Sequence, residues 1–357
     1  MYTRIARLQG FLKEKMLDAV VINKQENLQY FSGFTGDDTI LVVSAEEAKL
    51  ITDFRYVEQA GQQAKQFTIV EQIHGLLKKT AEVLQKAGAK RIGFEGNALT
   101  YDDFTVLQGF LPDASLDFSV KLDVLRMVKD ADEISCIRKA VSISDAAFEH
   151  ILTFLHPGIR EIDVAAELED YMRRLGSERP AFTTIVASGI RGSLPHGVAT
   201  EKLIVNGEFV TMDYGAVYKG YHSDITRTVC VGHANEKQRE IYALVLRAQL
   251  LGVENIQAGI AGKAVDAKVR DLFALAGYDK YFGHGLGHSL GLEIHEEPRL
   301  SPSSTCEELI PGMLITIEPG LYLPGWGGLR IEDTVLVTAE GGEPLTQSSK
   351  KLIELYK

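Results

Sequence analysis

Three histidines and four glycines are concentrated in sixteen residues of this chain, GHGLGHSLGLEIHEEP at 283–298. His284 and His288 have the four-residue spacing of two metal ligands on one face of a helix. Gly285 and Gly287 lie between them, however, and each glycine in a helix interior costs about 1 kcal/mol. The segment is therefore predicted to be extended or looped, with glycines that let its backbone pass close to a neighbouring group.

A carboxylate is predicted on a strand face that is otherwise apolar. The residues from Phe209 to Asp213 alternate with the period of a β-strand, which places Phe209 and Thr211 on the same face as Asp213. A turn follows, and DITRTVCV, which begins at Asp224, is predicted to return as the second strand of a hairpin. A lone strand carboxylate is ordinarily solvated or ion-paired, so this pattern by itself does not indicate a site.

The second part of the chain contains an internal repeat. Residues 157–176 align with residues 258–277 at a shift of 101, and both segments combine a Gly-Ile turn with an amphipathic helical pattern. Residues 207–215 likewise align with residues 312–320. This part of the chain is thus predicted to consist of two related halves, each with one hairpin.

Each half carries two carboxylates at equivalent positions. Asp213 aligns with Glu318 and Asp224 aligns with Glu332, and the second returning strand is predicted over residues 330–337. Four carboxylates brought together without compensation would repel one another and lose their hydration. Two divalent cations would neutralise them, with the equivalent pair Asp224 and Glu332 bridging the ions and Asp213 and Glu318 as terminal ligands.

The glycine-rich segment lies between the two hairpins in sequence and can supply a histidine ligand. Such an oxygen-rich set with one imidazole favours Mn²⁺, Co²⁺ or Fe²⁺ over the sulfur-rich sites of structural zinc, and we expect Mn²⁺. Two ions about 4 Å apart can acidify a shared water and stabilise an oxyanion. The sequence therefore predicts metal-assisted hydrolysis.

The composition is typical of a soluble globular protein, with 45% hydrophobic and 24% charged residues. A net charge of -11 argues against a nucleic acid or an anionic membrane as partner. No segment approaches the roughly 20 apolar residues of a membrane span, and the N-terminus lacks the apolar stretch of a signal peptide, so a cytoplasmic location is expected. Three widely separated cysteines are predicted to be buried reduced thiols: Cys136, Cys230 and Cys306.

Strand and helix patterns alternate over the first part of the chain, which predicts a mixed α/β domain at residues 1–125. The predicted strands are 19–22, 39–43, 49–52, 68–70 and 91–94, the second and third forming a hairpin, and the predicted helices are 54–65, 74–88 and 101–110. Asp130 and Glu133 have the spacing of a capping box, and a long helix over 131–155 should open the second domain, residues 126–357.

Five motifs of the second domain occur together and in order: TMDYG (211–215), HSDITRT (222–228), HGLGHSLGLEIHEEP (284–298), TIEPG (316–320) and GLRIEDT (328–334). They resemble the pita-bread metallopeptidases, the family of methionine aminopeptidase, aminopeptidase P and prolidase. The resemblance implies a duplicated pita-bread catalytic domain and selects one of the three histidines as a ligand. The metal ligands that it implies are Asp213, Asp224, His288, Glu318 and Glu332.

The resemblance also implies roles for residues around the metals. His295 would contact the scissile carbonyl or the oxyanion, and His284 would line the pocket near the residue after the cleaved bond. His196, in SLPHG, matches the family's histidine on the leaving-group side. Glu318 would shuttle a proton besides binding metal, and Arg330 resembles the arginine that supports the bridging carboxylate.

The two-domain plan and the presence of every ligand favour the proline-specific branch. QYFSGFTG (29–36) and VLRMVKDADEI (124–134) resemble its N-terminal and linker patterns. The resemblance implies an Xaa-Pro dipeptidase, and since family members are often dimers, a homodimer. Aminopeptidase P, which accepts longer peptides, is the close alternative, and a pita-bread binding module without hydrolysis is the alternative from another class.

A dipeptidase must hold the free C-terminal carboxylate of its substrate. Arg299, four residues after His295, carries a guanidinium that suits this task because it can meet a carboxylate through two parallel hydrogen bonds. The alternative interpretation is an ordinary ion pair of Arg299 with Glu296 or Glu297.

Overall fold

The computed structural model describes residues 2–356. The chain divides into two compact units, Met1–Arg126 and Met127–Lys357. Among the helices in residues 2–356, none combines the length and the apolar composition that a bilayer span requires.

A six-stranded mixed sheet forms the centre of the N-terminal unit. Its strands are β1 (Ala19–Ile22), β2 (Ile40–Ser44), β3 (Ala48–Thr52), β4 (Thr68–Glu71), β5 (Arg91–Phe94) and β6 (Ser115–Asp117), in the order β4-β3-β2-β1-β5-β6. Strand β2 pairs antiparallel with β1 and β3, whereas the other neighbouring pairs are parallel. The predicted mixed α/β fold and its hairpin are confirmed.

The helices of this unit are α1 (Tyr2–Glu14), α2 (Gln25–Ser32), α3 (Val57–Gln63), α4 (Leu76–Lys86) and α5 (Tyr101–Phe110). The sequence pattern did not predict α1 and α2. Helix α1 packs through Leu8 and Leu12, which are fully buried, but charged residues surround them in sequence and obscure the periodicity. Helix α2 buries polar Asn27 and Ser32 along with its apolar residues, which weakens its pattern in the same way.

The second unit begins with the predicted long helix. Its helices are α6 (Ala131–Phe154), α7 (Glu161–Arg174), α8 (Glu236–Glu254) and α9 (Gly262–Leu275). The capping box at the start of α6 is present, because the side chains of Asp130 and Glu133 each accept a hydrogen bond from the other residue's backbone N–H at 2.9 Å. Helix α9 begins and ends 101 residues after α7, as the repeat predicts.

Two mainly antiparallel sheets and two short ribbons complete this unit. The strands are β7 (Ile185–Ser188), β8 (Glu208–Tyr214), β9 (Val217–Tyr218), β10 (Tyr221–His222), β11 (Ile225–Val231), β12 (Gly287–Ser289), β13 (Glu296–Leu300), β14 (Leu314–Ile317), β15 (Gly320–Leu323), β16 (Gly327–Arg330), β17 (Asp333–Val337), β18 (Gly342–Pro344) and β19 (Glu354–Leu355). The sheets have the orders β19-β11-β8-β7 and β13-β12-β14-β17-β18, and the ribbons are β9-β10 and β15-β16. One core joins α6 and α7 to the first sheet, and another joins α8 and α9 to the second. This is the duplicated pita-bread architecture that the resemblance implies.

The prediction of one continuous strand over residues 330–337 is wrong. Arg330 ends β16, which pairs with β15, whereas Asp333 begins β17, which pairs with β14. Between them, the backbone N–H of Glu332 donates to the carbonyl of Thr226 on β11 at 3.1 Å. After the β15-β16 ribbon, the chain therefore bonds first to β11 of the first sheet and only then joins the second sheet as β17.

The three cysteines are free, as predicted, but only Cys230 is buried. Cys136 lies on a partly exposed side of α6, and Cys306 lies in the irregular segment between β13 and β14, so both are half-buried. The expectation of three buried thiols is therefore wrong for these two residues.

Candidate metal centre

The duplicated hairpins place four carboxylates at equivalent strand ends. Asp213 is the penultimate residue of β8. Asp224 directly precedes β11, the strand that pairs antiparallel with β8. In the second half, Glu318 directly follows β14 and Glu332 directly precedes β17. Asp224 and Glu332 are buried, and Asp213 is 9% exposed, so the four side chains converge in a region with little access to water.

The structure brings together all five residues that the resemblance implies as ligands. Oxygen atoms of Asp213, Asp224 and Glu332 lie within 4.8 Å of one another. The Nε2 atom of His288 lies 3.6 Å from Oδ2 of Asp224 and 3.4 Å from Oε1 of Glu318. This is an oxygen-rich cluster with one imidazole.

The glycine-rich segment presents His288 in an extended conformation, as predicted, on β12. A Cβ atom at Gly287 would lie 1.8 Å from the carbonyl oxygen of Thr316, so only glycine lets this strand pack so closely. Nδ1 of His288 lies 3.0 Å from the carbonyl oxygen of Ser289, which can only accept, so Nδ1 carries the proton. Burial lowers the pKa of His288 to about 3, and the neutral ring directs the Nε2 lone pair at the carboxylates.

The carboxylates have the electrostatics of a cation site. Burial, followed by repulsion from neighbouring carboxylates, raises the pKa of Asp224 and of Glu332. Burial also raises the pKa of Glu318 to about 7. Oδ1 of Asp213 and Oδ1 of Asp224 are buried without a hydrogen-bond partner among the described residues. Divalent cations would supply the missing partners and the missing charge, so these residues fit the metal ions that the family implies.

Arg330 connects the two halves of this cluster. Its Nη2 donates to Oδ2 of Asp213, and its Nε donates to Oγ1 of Thr226 at 3.0 Å. The hydroxyl of Thr226 in turn donates to Oε2 of Glu332 at 2.6 Å. The support of Glu332 by Arg330 thus runs through Thr226, whereas the direct ion pair is with Asp213. Sequence reasoning missed Thr226, whose only signal was its place in the HSDITRT motif.

Sequence reasoning also missed Tyr322, on β15. Its hydroxyl accepts a hydrogen bond from Nη1 of Arg330 at 2.7 Å and lies 2.9 Å from Nε2 of His284. Nδ1 of His284 lies 2.8 Å from the carbonyl oxygen of Gly285 and must donate to it, so Nε2 accepts from the tyrosine. His284 is thereby joined to Arg330 through one buried hydroxyl.

The other predicted histidines lie on the open side of the cluster. The rings of His295 and His288 contact each other edge to face, with centroids 4.4 Å apart, and His295 is exposed. His196 is exposed and follows Pro195, whose carbonyl accepts from Nη1 of Arg330 at 3.4 Å. Burial is the main cause that lowers the pKa of both His284 and His295. Nearby positive charges, including that of His196, lower these two pKa values further.

Arg299 lies opposite His288 in the pairing of β12 with β13. Its side chain is 51% exposed, and its Nε lies 3.6 Å from Oε1 of Glu297. The geometry includes the ordinary ion pair and also leaves the guanidinium at the solvent edge of the carboxylate cluster.

Comparisons with known proteins agree with this geometry. Residues 135–339 match the model of metallopeptidase family M24, and residues 4–128 match the creatinase/prolidase N-terminal domain. The chain therefore belongs to metallopeptidase family M24, within the branch of pita-bread enzymes that contains prolidases, and it is an enzyme of this type.

Relatives and solved structures extend this similarity over the whole chain. An Xaa-Pro dipeptidase from Pyrococcus furiosus is 40% identical, over 99% of this chain and 100% of the relative. The structure of an Xaa-Pro dipeptidase from Bacillus anthracis has a TM-score of 0.97 and 46% identity, covering 99% of both chains. That of an X-Pro aminopeptidase from Thermotoga maritima MSB8 has a TM-score of 0.91 and 35% identity, covering 98% of this chain and 99% of the other.

Proposed function

We propose that this enzyme hydrolyses Xaa-Pro dipeptides with two divalent metal ions per chain. The observation that carries the proposal is the convergence of Asp213, Asp224 and Glu332, with oxygens within 4.8 Å of one another, next to His288 and Glu318. The relatives named Xaa-Pro dipeptidase support the substrate class. The complete set of five candidate ligands disfavours a binding module without hydrolysis.

The proposed ligands are Asp213, Asp224, His288, Glu318 and Glu332. Asp224 and Glu332 occupy equivalent central positions of the duplication and would bridge the ions. Mn²⁺ is the proposed metal, with Co²⁺ or Fe²⁺ as alternatives, because the donors are mostly oxygen. When bound, the ions supply Lewis-acid chemistry to water and to the peptide carbonyl.

The surrounding side chains would orient the substrate and move its protons. Besides binding metal, Glu318 would hold and release a proton at its carboxyl group. His295, neutral and exposed beside His288, would donate a hydrogen bond to the oxygen of the scissile carbonyl. His284 and His196 would line the leaving-group side, and Arg330 would keep Asp213 in place.

The preference for dipeptides over longer peptides rests on Arg299. At the solvent edge of the cluster, its guanidinium would bind the free carboxylate of the dipeptide and exchange its contact with Glu297 for it. The alternative is an Xaa-Pro aminopeptidase that accepts longer peptides, and the similarity to the Thermotoga maritima structure supports that alternative. We also propose a homodimer and a cytoplasmic location.

Release of the N-terminal alanine after loading with Mn²⁺ tests this proposal. We expect Ala-Pro to be cleaved with a higher kcat/KM than Ala-Pro-Ala, and Ala-Ala to be cleaved poorly. Equal rates on the first two peptides would favour the aminopeptidase. Faster cleavage of Ala-Ala than of either proline peptide would contradict the proline-specific assignment.

A further inference from the structure

A buried ion pair lies at the base of the loop that links His288 to His295. Strands β12 and β13 pair directly at Ser289 and Glu296, and residues 290–295 form the loop between them. Nζ of Lys129 donates to Oε2 of Glu296 at 2.9 Å and to Oγ of Ser289 at 3.2 Å. One ammonium group thus holds both ends of the loop.

Lys129 is itself held in a fixed place. Its side chain is 1% exposed and that of Glu296 is 4% exposed. Lys129 directly precedes Asp130, the N-cap of α6, and its backbone N–H donates to the carbonyl of Gly312 at 2.9 Å. The ammonium group therefore acts from a rigid support.

The loop is held at two further points. The carbonyl of Gly291 accepts from the backbone N–H of His222 at 2.8 Å and from its Nδ1 at 3.1 Å. Oε1 of Glu296 accepts from the backbone N–H of Glu293 at 3.2 Å. A Cβ at Gly291 would lie 2.8 Å from the Glu296 carboxylate, so the loop backbone packs directly on that group.

The ring of His295 depends on this loop for its position. Among residues 4–356, no hydrogen bond is made to the His295 ring, which packs edge to face against the ring of His288. His288 and His295 are the immediate neighbours of Ser289 and Glu296, the two residues that Lys129 holds. A shift of this pair of residues would therefore change the placement of both rings.

Stability does not explain why this pair is buried. Removing a lysine and a glutamate from water is costly, and apolar replacements of such pairs are often neutral or stabilising. We infer that Lys129 and Glu296 are positioning residues that hold His295 against His288 in the arrangement needed for hydrolysis. This inference rests on the proposed function for its link to turnover, but the placement of His295 can be measured without turnover.

Three variants separate positioning from stability: Lys129→Met, Glu296→Gln and the double variant Lys129→Met/Glu296→Gln. Each single variant leaves one buried charge without its partner and should lower Tm. The double variant removes both charges and keeps an acceptor for Glu293, so its Tm should recover toward that of the unmodified enzyme. Its kcat should nevertheless remain at least tenfold lower, with KM nearly unchanged, because small misplacements of a reacting group cost up to about 10²-fold.

A second readout uses the metal-free protein. Because the double variant should release the His295 ring from the face that it shares with His288, we expect diethyl pyrocarbonate to acylate it severalfold faster than in the unmodified protein, with exposed His156 as the internal standard. This result would hold even if the substrate assignment failed. The matched control is Arg138→Met/Glu343→Gln, an ion pair with both side chains 46% exposed, which should change neither readout.

Recovery of kcat together with Tm in the double variant would overturn the inference and assign the pair to stability. An unchanged acylation rate of His295 would overturn it as well. If Lys129→Met does not fold, Glu296→Gln and the double variant are judged by the same criteria.

Discussion

Arg330 and Asp213 form a buried ion pair that joins the two halves of the duplicated unit. Asp213 belongs to β8 in the first half, whereas Arg330 ends β16 in the second. The same guanidinium donates to Thr226 and Tyr322, so one side chain fixes a proposed ligand and reaches His284 through a hydroxyl. The candidate metal centre therefore depends on the docking of the two halves.

Tyr322→Phe should lower kcat by roughly tenfold, the equivalent of about 1.4 kcal/mol for a lost buried hydrogen bond. The reason is that the Tyr322 hydroxyl forms the hydrogen-bonded link between Arg330 and His284. Steady-state kinetics with an Xaa-Pro dipeptide measures the effect. The control is Tyr242→Phe, which removes a buried hydroxyl that donates to the carbonyl of Lys350 at 3.0 Å and should leave kcat unchanged. Equal losses in both variants would assign Tyr322 to stability alone.

His295→Ala should lower kcat and kcat/KM together, by roughly 10²–10³ for one lost donor to the oxyanion. This follows if the ring acts on the transition state more than on the bound dipeptide. His156→Ala, an exposed histidine after α6, is the control and should behave as the unmodified enzyme. A change confined to KM would show instead that His295 only positions the substrate.

Arg299→Ala should raise KM for Xaa-Pro dipeptides by more than tenfold, as expected for the loss of about 1.5–3 kcal/mol from a charged hydrogen bond. A C-terminally amidated substrate should be nearly unaffected, because it offers no carboxylate. Arg174→Ala is a matched control, since this exposed arginine pairs with Asp170 on α7. Equal losses on both substrates would assign Arg299 to its ion pair with Glu297 and favour the aminopeptidase.

Glu318 makes the stability of the metal-free protein depend on pH. Burial raises its pKa from the ordinary 4.5 to about 7, so the folded protein keeps a proton that the unfolded chain has released. The resulting stabilisation is present at low pH and is lost as pH rises through about 7. Glu318→Gln removes this contribution. Between about pH 4.5 and pH 7, the free energy of unfolding of the metal-free variant should therefore gain on the order of 3 kcal/mol relative to that of the unmodified protein.

Urea unfolding of both metal-free proteins, in a chelator between about pH 5 and pH 8, measures this difference. Both proteins are measured in the same buffers, so the difference between the two curves reports the loss of the Glu318 carboxyl group, including its repulsion of Glu332. Glu340→Gln, an exposed residue after β17, should give a curve parallel to that of the unmodified protein. A parallel curve for Glu318→Gln would contradict the raised pKa.

The carboxylate positions were predictable because the signals are local and repeated. The alternation around Asp213 lies within one strand, and the repeat is visible because two short segments, 101 residues apart, can be aligned directly in the α7 and α9 regions. Tyr322 and Lys129 were not predictable, since their partners lie 38 and 167 residues away, in His284 and Glu296. The break after Arg330 was missed for the same reason, because its cause is a bond from Glu332 to the other sheet.

The central claim is that two metal ions held by the four carboxylates carry out the hydrolysis. Its most direct test is to titrate Mn²⁺ into the metal-free protein and into Asp224→Ala, and to measure bound metal and proline release in the same samples. We predict two ions per chain and full activity for the unmodified protein, but loss of at least one ion and of activity for Asp224→Ala. Asp170→Ala, an exposed acid on α7, should match the unmodified protein. Full activity of Asp224→Ala with a single ion bound would contradict the two-metal account.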